Sequence, residues 1–253
     1  MKILPKNNPI LTVIIVNYNS GIYLSQCVSS LVSSSLGNYS LEVIIADNAS
    51  TDASFLNAQK INNQNPKINL IFYSLPKNLG FSAGNNQALK KSNSNSKYVL
   101  FLNPDTTVET DTFKKMIDFF EHHREVDAAT CNLILALSGQ TQPESHRGFP
   151  TPWNAFCHFF ASPLPKLFPK SKFFNGYFLG HLDFRKTQKI DACVGAFLML
   201  KREVGETINW WNEKYFFYGE DLDLCWQLKK HGFSLYFYPG AKATHYQGIS
   251  SGI

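Results

Sequence analysis

Short apolar runs alternate with polar stretches through the first half of the chain. The runs cover residues 11–16, 41–46, 68–73 and 98–102, and the last of them, Tyr-Val-Leu-Phe-Leu, contains no polar residue other than its tyrosine hydroxyl. Apolar runs of this length without regular polar alternation are typical of strands that are covered on both faces. We therefore predict four buried strands.

The stretches between the runs have helical periodicity. Leu24, Cys27, Val28 and Leu31 follow the spacing i, i+3, i+4 and i+7, which gives one apolar stripe. A second helix is expected at about residues 82–91. Alternation of strands and helices predicts an α/β fold with a doubly wound, mostly parallel central sheet flanked by helices.

Each predicted strand is followed by polar residues. The nearest are Asn17, Asp47, Asn78 and Asp105. Ordinary turn chemistry explains any one of them, but the carboxyl ends of parallel strands share one edge, where open α/β sheets bind ligands. Pro104 stops the fourth strand because it lacks an amide donor. The repetition favours a ligand site at this edge.

The second half has weaker alternation. A helix is predicted over 112–124, with strands over 128–137 and 233–238, the last strand being followed by a turn through 239–245. Residues 145–152, which include Arg147, are predicted to form a loop.

Three acids, Glu220, Asp221 and Asp223, crowd the start of a helix that closes at Gly232. Acids favour helix N-termini through the helix dipole, which accounts for one or two of them. An aromatic run at 215–218 leads into them, and burying acids beside aromatic rings is costly without a function or a partner. The pattern favours a functional carboxylate here.

Composition narrows the class of protein. The 253 residues suit one domain, with a ligand-binding half at about 10–107 and a second, smaller lobe within about 108–253. A net charge of +5 suits a phosphorylated ligand or an anionic membrane but falls short of a nucleic-acid footprint. Five scattered cysteines without a Cys-x-x-Cys pair favour a reducing compartment, hence the cytoplasm. No apolar stretch approaches the ~20 residues of a membrane span.

Two common phosphate-binding motifs are missing. Neither Gly-x-Gly-x-x-Gly after the first strand nor Gly-x-x-x-x-Gly-Lys-Ser/Thr occurs in the sequence. A phosphorylated ligand would need another partner, and a divalent cation on Asp105 is the obvious candidate.

Four motifs in order resemble one enzyme family. They are Val-Asn-Tyr-Asn at 16–19, Asp-Asn-Ala-Ser-Thr-Asp at 47–52, Asn-Leu-Gly-Phe-Ser-Ala-Gly-Asn at 78–85, and Asn-Pro-Asp at 103–105. Together they resemble family 2 glycosyltransferases of the GT-A fold, most closely a rhamnosyltransferase-like branch. The resemblance implies inverting transfer of a sugar, with rhamnose as one candidate. The donor would be a nucleotide-diphosphate-sugar, and the acceptor a hydroxyl on a growing cell-surface glycan or lipid-linked saccharide.

The resemblance also implies residue roles. Donor-binding residues would be Val16, Asn17, Tyr18, Asn19, Asp47, Asn48, Asn78, Gly80, Phe81, Asn85, Asn103, Gly195 and Ala196. Asp105 and His245 would bind Mg²⁺ or Mn²⁺, with Asn103 standing where the family's Asp-x-Asp motif has its first aspartate. Asp221 would be the catalytic base, paired with Glu220. Members of the family commonly continue beyond the position that matches Ile253, so the chain is expected to be either a truncated or a minimal version of the enzyme.

Residues 153–182 are rich in aromatic residues and interleaved with Lys166, Lys170 and Lys172. This segment either covers the acceptor site as a hydrophobic flap or lies on an anionic bilayer at the inner face of the cytoplasmic membrane.

Two other functions remain open. A nucleotidyltransferase would want a Gly-rich loop with Arg or Lys after the first strand, and residues 16–21 have neither basic residue. A catalytically inactive module that binds a glycan or a partner is disfavoured by the intact carboxylates and His245.

Overall fold

The computed structural model describes residues 8–161 and 163–247. In that part of the chain the strands are β1 Leu11–Asn17, β2 Leu41–Asp47, β3 Ile68–Ser74, β4 Tyr98–Leu102, β5 Thr106–Val108, β6 Ala128–Leu135, β7 Gln188–Lys189, β8 Phe197–Lys201 and β9 Leu235–His245. The helices are α1 Tyr23–Val32, α2 Ser54–Gln59, α3 Gly80–Leu89, α4 Thr112–His122, α5 Pro152–Phe159, α6 Pro163–Leu167, α7 Arg202–Ile208 and α8 Glu220–Lys230, with a 3₁₀ turn at Pro143–Ser145.

All of these strands belong to one sheet. Its order is β3-β2-β1-β4-β8-β6-β9-β5, with β7 paired to β9. The first four strands are parallel, which confirms the α/β prediction. Beyond them the sheet is mixed, since β8 runs antiparallel to β4 and β6 while β9 runs parallel to β6.

The sheet has a hydrophobic cluster on each face. Every residue of β1 and β2 is buried, as the apolar runs predict for two-sided packing. One cluster includes Leu24 of α1 and Phe113 of α4, and the other includes Trp211 and Leu224 of α8. Because both faces are covered, the carboxyl edge of the parallel strands is the place left for polar chemistry.

The prediction for the last strand was wrong at its end. The expected turn at 239–245 is instead a continuation of β9 to His245. Opposite the step from Cys131 to Asn132, the register jumps from Tyr238 to Lys242. Pro239 lies in this irregularity, so its missing amide costs no ladder hydrogen bond.

Three smaller boundaries also shift. The helices predicted at 82–91 and 112–124 span Gly80–Leu89 and Thr112–His122, and the strand predicted at 128–137 ends at Leu135. Ends of elements are weakly specified because terminal turns fray. None of the helices in the described ranges combines the length and the apolar character needed to cross a bilayer.

Candidate active site

A cavity of about 440 Å³ opens at the carboxyl edge of the parallel strands. Most of the predicted site residues line it: Val16, Tyr18, Asn48, Asn78, Gly80, Phe81, Asn103, Asp105, Gly195, Ala196, Glu220, Asp221 and His245. Its size is within the range of small-molecule sites. Residues that are more than 200 positions apart in sequence therefore meet in one place.

Four predicted donor-binding residues are not part of the cavity lining: Asn17, Asn19, Asp47 and Asn85. Asn17 is fully buried, and its Nδ2 donates to Asp47 Oδ1 at 2.8 Å. The Asn19 Oδ1 accepts from the amide of Thr51 at 2.7 Å. These bonds tie the loop after β1 to the loop after β2, so the structure gives these side chains a supporting position. Their contact with a donor stays a prediction.

Asn85 has a similar supporting position in α3. Its side chain is buried, and Nδ2 donates to the carbonyl of Phe81 at 2.9 Å. The bond fixes the first turn of α3, which presents Gly80 and Phe81 to the cavity.

Asn48 and Asn78 shape one wall of the cavity. Asn48 Nδ2 donates to Asn78 Oδ1 at 2.8 Å, and the same oxygen accepts from the amide of Gly80. Gly80 has φ +80°, and a methyl group there would lie 2.5 Å from the carbonyl oxygen of Phe216. That carbonyl also accepts from the amide of Phe81 at 2.9 Å. Only glycine lets the aromatic segment close over this wall.

Asp105 and His245 form the first polar end of the cavity. His245 Nε2 lies 3.3 Å from Asp105 Oδ1, and both side chains are almost completely buried. His245 Nδ1 donates to Gln142 Oε1 at 2.8 Å. Because a carbonyl oxygen only accepts, the neutral ring carries its proton on Nδ1 and turns a lone pair of Nε2 towards Asp105.

This pair fits a divalent cation. Asp105 Oδ1 is buried without a hydrogen-bond partner, and two acceptors facing each other are stabilised by a positive ion between or beside them. No cluster of three or more His, Cys, Asp and Glu side chains suited to a metal occurs in the described ranges. An ion here would therefore complete its shell with water and phosphate oxygens, as Mg²⁺ commonly does.

Glu220 and Asp221 form the second polar end, at the first turn of α8. Asp221 Oδ2 accepts from Arg147 Nη2 at 2.7 Å, and Oδ1 accepts from the amide of Leu222 at 2.7 Å. Burial raises the pKa of Asp221, although the charge of Arg147 opposes the shift. The buried carboxyl of Glu220 also has a raised pKa, and its Oε2 has no hydrogen-bond partner. Two neighbouring carboxyls whose pKa values are raised by burial are typical of a functional site.

Asp223, the third acid of the crowded helix start, does not join them. It lines a separate groove with Trp210 and Gln227. Its position suits the general preference of acids for helix N-termini.

Sequence reasoning missed two features of the cavity. Gln142 lies in a loop and carries no motif, so only its position beside His245 identifies it. The segment Phe216, Phe217 and Tyr218 lines the mouth, and its aromatic run was visible in the sequence without indicating which ligand it faces.

Several known proteins are similar to this chain in sequence. The protein-family model described as "Glycosyl transferase family 2" matches residues 12–208. Rhamnosyltransferase WbbL of Escherichia coli K12 is 27% identical over 172 residues, which is 66% of this chain and 61% of WbbL. The chain thus spans less than two thirds of WbbL. N-acetylglucosaminyl-diphospho-decaprenol L-rhamnosyltransferase of Mycobacterium tuberculosis is 24% identical, covering 96% of this chain and 78% of that one.

Solved structures share the fold. Staphylococcus aureus TarS 1-349 in complex with UDP-GlcNAc has a TM-score of 0.63 at 19% identity, covering 96% of this chain and 61% of TarS. GalNAc-T7 with UDP, GalNAc and Mn²⁺ has a TM-score of 0.68 at 15% identity, covering 95% of this chain and 44% of GalNAc-T7. The fold is therefore of the GT-A type.

The first prediction concerns the Asp105–His245 pair. We expect Mn²⁺, titrated with pyrophosphate present and followed by electron paramagnetic resonance, to bind the wild type and not Asp105→Ala. Gln142→Ala should weaken binding about 10–100-fold, because His245 loses the partner that orients its ring. Asp191→Ala is the matched control, since Asp191 pairs with Lys229 outside the cavity. Equal Mn²⁺ affinities in the wild type and all three variants would show that Asp105 and His245 do not bind the metal.

The second prediction concerns Gly80. Gly80→Ala and Gly139→Ala both place a side chain at positive φ, but only at Gly80 does the new methyl group meet another atom. We expect Gly80→Ala to lower the free energy of unfolding by about 1–3 kcal/mol more than Gly139→Ala does. Urea denaturation measures both values. Equal losses would mean that the Phe216 segment does not press on Gly80.

Proposed function

The chain belongs to glycosyl transferase family 2, and from that premise we propose that it is a metal-dependent, inverting glycosyltransferase. It transfers a sugar from a nucleotide-diphosphate-sugar to an acceptor hydroxyl on a cell-surface glycan or lipid-linked saccharide. The observation that carries the proposal is the single cavity in which Asp105 and His245 meet Glu220 and Asp221.

The donor occupies the wall built by the strand-end loops. In the proposal, Tyr18 and Asn48 hold the nucleotide, backed by Asp47, and Asn103 contacts the ribose. Gly195 and Ala196 let the sugar approach the backbone closely. The UDP-GlcNAc bound to TarS and the UDP bound to GalNAc-T7 support this donor class.

The diphosphate lies against Asp105 and His245. A divalent cation bound there, Mg²⁺ or Mn²⁺, would neutralise the negative charge that develops on the departing diphosphate. The presence of Mn²⁺ with UDP in the GalNAc-T7 structure supports this choice. The side chain of Gln142 keeps the His245 ring in the orientation that such an ion requires.

Asp221 acts as the base. It takes the proton of the acceptor hydroxyl while the oxygen bonds to the anomeric carbon and the bond from that carbon to the diphosphate breaks. A positioned base contributes about 10²–10⁴-fold to a rate. Glu220 Oε2, which is buried on the cavity without a partner, offers an acceptor to a neighbouring sugar hydroxyl.

The names of the relatives indicate candidate substrates. Two of them are rhamnosyltransferases, and the name of one includes N-acetylglucosaminyl-diphospho-decaprenol. We therefore propose rhamnose as the first sugar to test and a lipid-linked saccharide as the first acceptor.

The third prediction tests the base. A thermal-shift screen of nucleotide sugars with Mn²⁺ identifies the donor, and transfer is then assayed with that donor. Asp221→Asn should lower kcat by at least about 100-fold and leave the donor affinity unchanged, because the amide cannot take the proton. Since burial raises the pKa of Asp221, wild-type transfer should fall as the pH drops through that raised value, when the carboxylate becomes protonated.

Asp223→Asn is the matched control, because Asp223 lies on the same helix turn but outside the cavity. Full turnover by Asp221→Asn would refute the assignment. Donor binding without transfer or hydrolysis by the wild type would instead identify an inactive binding module.

A membrane contact belongs to the same proposal. The aromatic patch, defined as Trp153, Phe156, Phe160, Leu167, Phe168 and Phe173, is exposed, with Phe160 at 83%. The ring of Trp153 lies 4.7 Å from that of Phe173 and 5.7 Å from that of Phe156. Contiguous exposed apolar surface of this kind marks an interaction site.

The charge around the patch supports an anionic bilayer as its partner. Lys166, Lys170 and Lys172 are interleaved with it in the sequence, and no acidic residue occurs between Glu144 and Asp183. Aromatic rings at a headgroup boundary with lysines beside them are the combination that binds anionic lipid surfaces. Such a contact would bring the enzyme to a lipid-linked acceptor.

The fourth prediction tests this contact by co-sedimentation with phosphatidylglycerol vesicles and phosphatidylcholine vesicles. Each lysine near a charged surface contributes about 1 kcal/mol, so replacing all three by alanine should weaken binding to the anionic vesicles roughly 100-fold. Phe160→Ser with Phe168→Ser should also release the protein.

Leu56→Ser with Leu137→Ser is the control, because both leucines are exposed elsewhere. Unchanged vesicle binding by the lysine and phenylalanine variants would contradict the contact. A raised acceptor KM in those variants would then indicate that residues 153–182 cover the acceptor site as a hydrophobic flap.

A further inference from the structure

Arg147 reaches the site from the segment between the 3₁₀ turn at Pro143–Ser145 and helix α5. Its backbone forms a two-way bridge with Ala192, with N–O distances of 2.9 and 2.8 Å. The following residue, Gly148, donates its amide to the carbonyl of Tyr177 at 2.7 Å. The arginine is thus fixed on one side to the chain that leads to Gly195 and on the other to the aromatic region.

Its guanidinium is committed to Asp221. Nη2 donates to Asp221 Oδ2 at 2.7 Å, and the two side chains are only 10% and 15% exposed. Nη1 lies 3.5 Å from the Tyr177 hydroxyl, while Nε is buried without a partner. Arg147 does not line the cavity, although Asp221 does. It therefore contacts Asp221 from behind.

A buried ion pair with an unsatisfied donor is poor evidence for a stabilising role. Desolvation of two charges commonly equals or exceeds their attraction, and a well-packed apolar pair is often as stable. A phosphate-binding role is also disfavoured, because the arginine lies off the cavity and Nη2 is already bonded. The contact is better explained by its effect on Asp221.

We propose that Arg147 is a positioning residue that keeps Asp221 ionised and fixes the direction of its carboxylate. The proposal rests on the proposed function, in which Asp221 is the base. A base must be unprotonated when the acceptor binds, and a desolvated carboxylate resists ionisation. Arg147 supplies the opposing charge without occupying the space where the acceptor lies.

The other titratable groups around Asp221 do not replace this charge. Glu220 precedes it on α8, and Tyr177 lies beyond Arg147. Cys193 lies on the chain beneath and interacts with both members of the pair, and Cys225 of α8 contacts Cys193. Among Glu220, Tyr177, Cys193, Cys225 and Arg147, only the arginine is cationic at neutral pH. Burial raises the pKa of Asp221 even with Arg147 beside it. Without Arg147 the proton would be held more strongly.

The fifth prediction compares Arg147→Met with Arg147→Lys. The titration of the Asp221 carboxyl is followed by ¹³C NMR in aspartate-labelled protein, with the signal assigned through Asp221→Asn. An opposite charge at this distance lowers an aspartate pKa by about 1–3 units. We therefore expect Arg147→Met to move the midpoint up by about that amount and Arg147→Lys to restore most of it.

Transfer rates should follow the same order. In Arg147→Met the acid limb of the pH–kcat profile moves upward with the NMR midpoint, and part of the lost rate returns at high pH. In Arg147→Lys the limb stays near its original position, but kcat is lower, because lysine lacks the planar fork that orients the carboxylate. Arg185→Met is the control, since Arg185 pairs with Asp183 on the surface.

Two results would overturn the inference. One is an unchanged Asp221 midpoint in a folded Arg147→Met protein, with folding checked by its Tm. The other is an Asp221 midpoint that rises by the full shift of about 1–3 pH units in Arg147→Lys, which keeps the positive charge. This second result can be obtained even if Arg147→Met folds poorly. Failure of the proposed function looks different: the wild type transfers no sugar, while the NMR midpoint still shifts in Arg147→Met.

Discussion

The pairing of β9 with β5 is the interaction on which the cavity depends. Thr106 is opposite His245 in this antiparallel ladder, so the residue after Asp105 is fixed beside the last residue of β9. The register jump at Pro239 sets this alignment, because it decides which residue of β9 reaches the end of β5. A shift by one residue would turn His245 to the other face of the sheet.

The two polar ends of the cavity use burial in opposite ways. At Asp105 and His245, both side chains are almost completely buried with Nε2 3.3 Å from Oδ1, a geometry that suits the positive ion of the proposed function. At Asp221, burial alone would favour the protonated acid, and Arg147 opposes it at 2.7 Å. In the proposed function a ligand brings the cation to the first end, whereas at the second end the cation is Arg147 of the protein itself. The proposed reaction needs this asymmetry, because the leaving group gains negative charge at the first end while the acceptor loses a proton at the second.

Close backbone approach holds the aromatic segment against the cavity wall that contains Asn48, Asn78 and Gly80. Gly80 has the positive φ and the missing side chain that allow the Phe216 carbonyl to bond to the amide of Phe81. The wall and the mouth of the cavity are therefore joined through main-chain atoms.

Local sequence determined the parallel half of the sheet: apolar runs gave β1 to β4, helical periodicity gave α1 and α3, and polar residues at strand ends marked the edge where Asp105 lies. These features depend on neighbours along the chain, so periodicity and turn chemistry carry them. Tertiary structure alone decided that β9 continues past Pro239 and that Gln142 orients His245. It also decided that the partner of Arg147 is Asp221 and not a ligand phosphate. Those contacts join residues 74 to 139 positions apart in the sequence. Packing of the whole sheet sets their distances, and no local pattern records it.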